Sequence, residues 1–200
     1  YEKSKKYFTD EEKEYFRHLK YKKKKKKLQY LICNLESKNS DDTLNKHIED
    51  NISDCIKYFS IHIEDGKLKF ALADSYFLRG VYHRFIGSDS LIIIDDLLNA
   101  KNYREEIAGK YHLSMIPIYL ELLEIYISIN DNENITNYLS ILNNISLYNK
   151  HNKTKLFNNS QCVRIEKLLK MINMDEYISL CKEIYLCKET QDIVSFGIEL

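Results

Sequence analysis

The stretch IYLELLEIYISINDNENITNYLSIL, residues 118–142, determines how the rest of the chain is interpreted. Apolar side chains recur at three- and four-residue spacing on both sides of the polar break Asn130-Asp131-Asn132. This spacing puts them on one face of each of two helices, because an α-helix completes a turn in about 3.6 residues. The stretch therefore predicts two amphipathic helices joined by a tight turn. One hairpin cannot bury two wide apolar faces alone, so we expect neighbouring helices to cover it.

The composition favours helices along the whole chain. The 200 residues include only 5 Gly and 1 Pro, with 44% hydrophobic and 30% charged residues. Sheets, sandwiches and barrels need turn residues about every 8–12 positions, and this chain does not supply them. We therefore predict an all-α protein that forms one domain or one helical array. The sequence contains no apolar run of about 18 residues and no visible secretory signal, so we expect no membrane span.

Three predicted turns lie at equal spacing. Ile86-Gly87, Ile129-Asn130 and Ile172-Asn173 follow one another at intervals of 43 residues. Such a period is typical of stacked helical hairpins, so residues 36–200 are predicted to form an α-solenoid-like array of antiparallel hairpins. An irregular helical bundle is the alternative. The predicted hairpins span residues 68–100, 112–145 and 162–187.

The same offset relates apolar residues within the hairpins. It aligns Tyr82, Ile125 and Leu168 in the first helices, and Ile92, Ile135 and Ile178 in the second helices. Each set is expected to lie on the same face of its hairpin. Pro117 is expected either in the first turn of its helix or at a kink. Residues 146–161 are Asn- and Lys-rich and are interpreted as a long loop.

Residues 71–142 resemble a tetratricopeptide-type array. The resemblance rests on Ala73, Tyr76, Gly80 and Tyr82 and on the turn Gly87-Ser88-Asp89, and it covers about a third of the chain. The period departs from that family's 34 residues, Ile92 stands where its second helix has Ala, and no terminal Pro follows. The longer period is similar to HEAT-like repeats and to the helical stems of proteasome-lid-type scaffold subunits. These resemblances imply protein binding rather than catalysis.

Residues 1–35 are predicted to form a basic N-terminal helix. Thr9 and Glu12 have the spacing of a capping box, which opens a helix near Asp10 that is expected to run to about Leu35. Residues 1–30 contain twelve Lys or Arg and five Asp or Glu, so their balance is +7, whereas the remaining residues carry −7. A basic segment on an acidic chain predicts an acidic partner for that segment.

The basic residues of this helix are the only candidate binding residues. Tyr15, Phe16 and Tyr21 are interleaved with them. Lysine density of this kind suits contact with nucleic-acid phosphates, with an acidic protein face or with this chain's own body, and the alternative is a solvated helix end. The candidate residues are Arg17, Lys20, Lys22, Lys23, Lys24, Lys25, Lys26 and Lys27.

Residue patterns for other chemistry are missing from the sequence. It has no phosphate-binding glycine loop, and no His lies three or four residues from another His or a Cys. Asp95-Asp96, Glu105-Glu106 and His83-Arg84 are interpreted as solvated surface. We therefore predict no catalytic residue, metal ligand or cofactor, and a protein that is not an enzyme. The five cysteines are interpreted as reduced, buried thiols: Cys33, Cys55, Cys162, Cys181 and Cys187.

Two functions fit these patterns. The first is a non-catalytic scaffold or adaptor subunit that contacts other protein subunits in a larger assembly. The second is an RNA-associated protein of an organellar ribonucleoprotein, such as a mitochondrial ribosome, with RNA held by residues 17–27. Both predict an intracellular protein and leave open whether its compartment is the cytoplasm or an organelle.

Overall fold

A computed structural model of the chain describes residues 9–33, 42–64, 66–150, 157 and 159–172. In these ranges the protein is all-helical and contains no strand, which confirms the predicted fold class. The helices are α1 (Asp10–Cys33), α2 (Asp42–Ile61), α3 (Gly66–Phe85), α4 (Ser90–Ala108), α5 (Ile116–Ser128), α6 (Asn132–Lys150) and α7 (Asn159–Ile172), with a 3-10 turn at Leu113–Met115 before α5.

The chain divides into two compact units, Tyr1–Ile107 and Ala108–Leu200. In the first unit, α1 packs on both α2 and α3. Leu28 of α1 and Phe59 of α2 are buried in one apolar core with residues of α3. Burial of such side chains stabilises a fold by about 1.5–3 kcal/mol each. The basic helix therefore belongs to the core of its unit through its inward face.

Helices α3 and α4 pack closely and run antiparallel. Near one end of the two helices Arg79 pairs with Asp96, and near the other end Lys69 pairs with Glu106. Gly80 follows Arg79 directly, and a Cβ at this position would come within 3.0 Å of Leu97. A glycine inside a helix costs about 1 kcal/mol relative to Ala. Close approach of α4 accounts for its presence.

The turns after α3 and α5 have the same backbone conformation. Gly87 and Asn130 both adopt left-handed φ angles, +73° and +57°. The next residue of each turn donates its amide to a carbonyl five positions earlier, from Ser88 to His83 and from Asp131 to Tyr126, both at 2.9 Å. This is the Schellman ending of a helix, and Gly and Asn are the residues that tolerate it best. The 43-residue offset therefore holds for both turns.

The second helices of the two hairpins, α4 and α6, are not related by the predicted 43-residue offset. Ile92 is 51% exposed whereas Ile135 is 3% exposed, so the prediction that they share a face is wrong. The reason is that the two turns differ in length by one residue. The cap of α4, Asp89, lies two residues after the left-handed Gly87, whereas the cap of α6, Asp131, directly follows the left-handed Asn130. An offset of 42 instead matches buried positions in the two helices, such as Ile93 with Ile135.

In the second unit, α5 is the most buried helix and contacts both α6 and α7. Pro117 lies in its first turn, where a missing amide donor is tolerated. Tyr126 stacks on Tyr138 of α6 with ring centroids 5.6 Å apart. Arg164 of α7 donates to Glu121 at 2.7 Å and also pairs with Glu124. One helix thus combines apolar packing on one side with a charged contact on another.

Several helix bounds differ from the sequence prediction. Helix α6 continues to Lys150 and α7 begins at Asn159, so the predicted loop over 146–161 is helical at both ends. The Asn-rich composition misled the assignment, because tertiary packing overrides weak helix propensity. Helices α3 and α4 form the first predicted hairpin, residues 68–100. The predicted return helix of the third hairpin, with Ile178, lies outside the described residues.

Candidate nucleic-acid interface

Helix α1 begins with the capping box predicted from the sequence. The amide of Glu12 donates to Thr9 Oγ1 at 3.1 Å, and the amide of Thr9 donates to Glu12 Oε2 at 2.8 Å. These two bonds satisfy amides that a helix N-terminus otherwise leaves without partners. They fix the start of α1 and so fix the angular position of every lysine that follows.

Two of the candidate lysines face the rest of the first unit. Lys24 Nζ donates to Asp54 of α2 at 2.8 Å, and Lys25 Nζ donates to Asp74 of α3 at 2.5 Å. Both lysine side chains are largely buried. For these two residues, the acidic partner predicted from the sequence is the chain's own body.

Asp74 joins three helices through its carboxylate. One oxygen accepts from Lys25 of α1, and the other pairs with Arg104 of α4. The guanidinium of Arg104 also lies over the rings of Phe70 and Phe77, with its Cζ 5.2 and 5.8 Å from the two ring centroids. Partly buried charges of this kind are held by several partners at once, so Asp74 ties α1 to a rigid support.

Arg17 also has a partner within the chain. Its Nη1 donates to Glu14 Oε2 at 3.0 Å, one turn earlier on the same helix. Its side chain nevertheless remains well exposed. An exposed pair at this spacing contributes only a few tenths of a kcal/mol, so it leaves Arg17 able to exchange partners.

The remaining five lysines point away from the unit. Helical geometry, at about 100° per residue, puts them within an arc of about 160° on α1. All five side chains are exposed, and no ion pair joins them to a described residue. We call this surface the outward face; its lysines are Lys20, Lys22, Lys23, Lys26 and Lys27.

Three aromatic side chains lie in the same arc as the outward lysines. Tyr15 is 61% exposed, Phe16 51% and Tyr30 69%. The rings of Tyr15 and Phe16 meet edge to face, with centroids 6.0 Å apart. The sequence analysis named Tyr15 and Phe16 but missed Tyr30. Tyr30 lies seven residues after Lys23, which is almost two helical turns, so the two side chains point in nearly the same direction.

A polar cluster anchors the first half of α1 on α2. Tyr58 donates its hydroxyl proton to Glu14 Oε1 at 2.8 Å, and His62 Nε2 lies 3.3 Å from the same oxygen. His18 contacts the Tyr58 hydroxyl, and Tyr21 stacks on the Tyr58 ring at 3.9 Å between centroids. These contacts hold the inward side of α1 in place and so turn the opposite side to solvent.

The cluster changes the acidity of its members. The hydrogen bond from Tyr58 holds the pKa of Glu14 below its ordinary value, and Arg17 and the two imidazoles act in the same direction. Burial, together with that hydrogen bond, raises the pKa of Tyr58. Sequence reasoning missed this cluster, but Glu14–His18 and Tyr58–His62 both have the four-residue spacing that places side chains together on a helix.

A second polar cluster corrects an expectation from the sequence. Asp96 is buried and accepts from Arg79 Nε at 2.8 Å, and its other oxygen lies 3.1 Å from His83 Nδ1. Asp96 and His83 were both expected on a solvated surface, and both are buried. The interpretation failed because Gly80 lets α4 approach α3 closely enough to enclose these side chains.

The described part of the chain shows no grouping of residues that would hold a metal ion. None of its helices is both long and apolar enough to cross a membrane. Cys55 and Cys162 are buried free thiols, as predicted, and burial raises the pKa of Cys55 to about 11. The side chains of the other three cysteines lie outside what the structure describes.

Comparison with known proteins gives no relative. No family model matches the sequence, and no curated protein or solved structure matches the chain. The residues of α1 and their surroundings are therefore the basis for assigning a function to this protein.

Proposed function

We propose that this protein is an RNA-associated helical protein that holds RNA phosphates on the outward face of α1. The observation that supports it is the division of the lysines in one helix: two are neutralised by Asp54 and Asp74, and five are exposed together. Five like charges within one arc repel one another unless an anion lies across them. A polyanion with regularly spaced charges meets that requirement.

The body of the first unit serves as the support for this face. Buried Leu28 and the Tyr58 cluster hold α1 along most of its length. A preorganised charged face loses less conformational entropy on binding than a flexible basic tail does. The proposal therefore predicts binding by folded protein and loss of affinity when the inward contacts of α1 are broken.

The test is the salt dependence of RNA binding, measured by fluorescence anisotropy with a labelled oligouridylate. Replacing the five outward lysines with Gln should reduce the slope of log K against log salt by about 0.7 for each phosphate that is no longer neutralised. The matched control, Lys24→Gln with Lys25→Gln, removes the pairs with Asp54 and Asp74, so it should lower the affinity by weakening the support of α1 but keep most of the slope. Replacing the outward lysines with Arg should retain binding. Unchanged affinity in the Gln variant would refute the proposal.

A second candidate is the protein adaptor predicted from the sequence, and one surface favours it. Leu91, which is 74% exposed, lies beside exposed Ile92 and near Ile86 at the turn between α3 and α4. Exposed apolar groups clustered in this way are typical of protein contacts. Stacking of the hairpins as a repeat array, which the 43-residue spacing of Gly87 and Asn130 in the sequence suggests, remains part of this proposal.

The adaptor function is tested by purification of the protein with its partners from the source cell. Leu91→Asp with Ile92→Asp should remove a specific co-purifying subunit while RNA binding persists. Val163→Asp, at another exposed apolar position, is the matched control and should remove nothing. Identical partner sets for all three proteins would exclude this surface as a contact.

A further inference from the structure

We propose that the outward face of α1 selects single-stranded RNA over duplex, with Tyr15, Phe16 and Tyr30 stacking on unpaired bases. This inference rests on the proposed RNA contact and specifies the form of RNA that fits it. The lysines alone supply phosphate contacts, which duplex and single strand both offer. The rings add a contact that only unpaired bases can make.

The aromatic residues of α1 divide in the same way as its lysines. Tyr21 faces inward and stacks on Tyr58 at 3.9 Å, so the protein core already uses its ring. Tyr15 and Tyr30 are each more than 60% exposed on the opposite side. Single exposed apolar groups are ordinary on protein surfaces, whereas here three exposed aromatic rings share one basic arc.

The spacing of the rings suits a strand that lies along the helix. Tyr15 and Phe16 lie near its beginning and Tyr30 near its end, about 22 Å apart along the axis. The exposed lysines occupy the surface between them. A strand whose phosphates follow the lysines would bring its bases to rings at both ends. A lysine track combined with aromatic platforms is the arrangement that single-strand binders use.

RNA fits this face better than the other polyanions. Folded RNA presents unpaired bases in loops and bulges, and proteins commonly recognise them by stacking on aromatic side chains. Duplex regions keep their base faces stacked on one another, so the rings gain nothing there. An acidic protein would pair with the lysines, but its carboxylates have no aromatic face to stack on the rings.

The experiment compares the affinities of the whole chain for a single-stranded oligouridylate, an RNA duplex and polyglutamate. The wild-type protein should bind the single strand at least about tenfold more tightly than the duplex. Tyr15→Ala and Tyr30→Ala should each weaken single-strand binding about tenfold and leave duplex binding unchanged. Tyr15→Phe and Tyr30→Phe keep the rings and should retain the wild-type affinity. Tyr111→Ala, an exposed tyrosine outside α1, is the matched control.

The outcomes separate this inference from the proposed function. Equal affinity for single strand and duplex, with binding still abolished in the lysine-to-Gln variant, would overturn the stacking inference alone. Ring variants that bind the single strand as well as wild type does would overturn it too. Displacement of RNA by polyglutamate at equal charge concentration would instead indicate an acidic protein partner. Absence of any lysine-dependent RNA binding would overturn the proposed function itself. Circular dichroism melting of each variant confirms that the exposed substitutions leave the fold intact.

Discussion

The inward and outward sides of α1 carry the same kinds of residue and do different things. Lys25 and Lys26 are neighbours in the sequence, yet Lys25 binds Asp74 while Lys26 is exposed. Tyr21 and Tyr15 differ in the same way, because Tyr21 stacks in the core while Tyr15 is exposed. One residue of offset turns a helical side chain by about 100°, which is enough to exchange a structural role for a binding role.

This comparison changes how a lysine-rich segment should be interpreted. The candidate residues include eight basic side chains, and the body of the protein already pairs with Lys24 and Lys25. Arg17 has a weak partner in Glu14. A binding face is therefore defined by the lysines that remain after internal pairing, and their number sets the salt dependence of binding.

The largest difference should appear between an inward and an outward apolar residue. Leu28→Ala should lower the free energy of unfolding by about 2–5 kcal/mol, because its side chain fills the core of the first unit. Tyr30→Ala, two positions later, should lower it much less, because 69% of that residue is exposed. Urea denaturation followed by circular dichroism measures both. Equal destabilisation would show that Tyr30 is part of the core rather than of an exposed face.

Paired and exposed lysines should differ by a smaller amount. Lys25→Ala should cost about 1 kcal/mol, since its charge-assisted hydrogen bond to Asp74 is partly buried and Arg104 remains to compensate that carboxylate. Lys26→Ala should be close to neutral. The same denaturation measurement tests this pair. A larger destabilisation for Lys26 than for Lys25 would contradict the assignment of inward and outward sides.

The anchor at Glu14 should make stability depend on pH. Its pKa is lowered below the ordinary 4.5, chiefly by the Tyr58 hydroxyl, with Arg17, His62 and His18 acting in the same direction. A lowered pKa in the folded state means that the carboxylate stabilises the protein above 4.5 and loses this contribution as pH falls through the lowered pKa. Glu14→Gln should therefore reduce the melting temperature at neutral pH and leave it unchanged in strong acid.

A constant difference between wild type and Glu14→Gln across the acid range would contradict this account of the anchor. Glu11→Gln is the control, because Glu11 is exposed near the start of the same helix. Its effect on the melting temperature at neutral pH should be smaller than that of Glu14→Gln.

The smallest effect should be that of Gly80→Ala. Gly80→Ala gains about 1 kcal/mol of intrinsic helix stability but puts a Cβ within 3.0 Å of Leu97. The flexible end of Leu97 can shift by a few tenths of an ångström, so the two terms nearly cancel. Gly80→Val should be clearly destabilising, because a branched side chain cannot fit against α4. A destabilisation by Val no larger than that by Ala would show that the helices are not in close contact there.

The sequence predicted features that depend on local spacing. The capping box at Thr9, the helical turn at Gly87 and the buried apolar positions of α5 all follow from patterns within a few residues. Prediction from the sequence failed where residues far apart in the chain contact each other. Glu14 finds Tyr58 across 44 positions, and Asp96 is buried only because α4 approaches Gly80. Periodicity indicates which side of a helix is apolar, but it does not reveal which partner a polar residue finds there.

For the same reason, the division of the α1 lysines into paired and exposed residues could be predicted only in part from the sequence. The outward lysines follow from helical geometry once Leu28 and Ile32 define the buried side. The pairing of Lys24 with Asp54 and of Lys25 with Asp74 depends on how α2 and α3 pack on α1, which no local pattern specifies.

The most direct test of the central claim is lysine modification measured by mass spectrometry, with and without a bound oligouridylate. In the free protein, acetylation should be fast at Lys20, Lys22, Lys23, Lys26 and Lys27 and slow at Lys24 and Lys25. Bound RNA should protect the first five and leave the other two unchanged. Equal reactivity of all seven lysines in the free protein, or protection confined to lysines outside α1, would contradict the claim that the outward face of this helix is the binding surface.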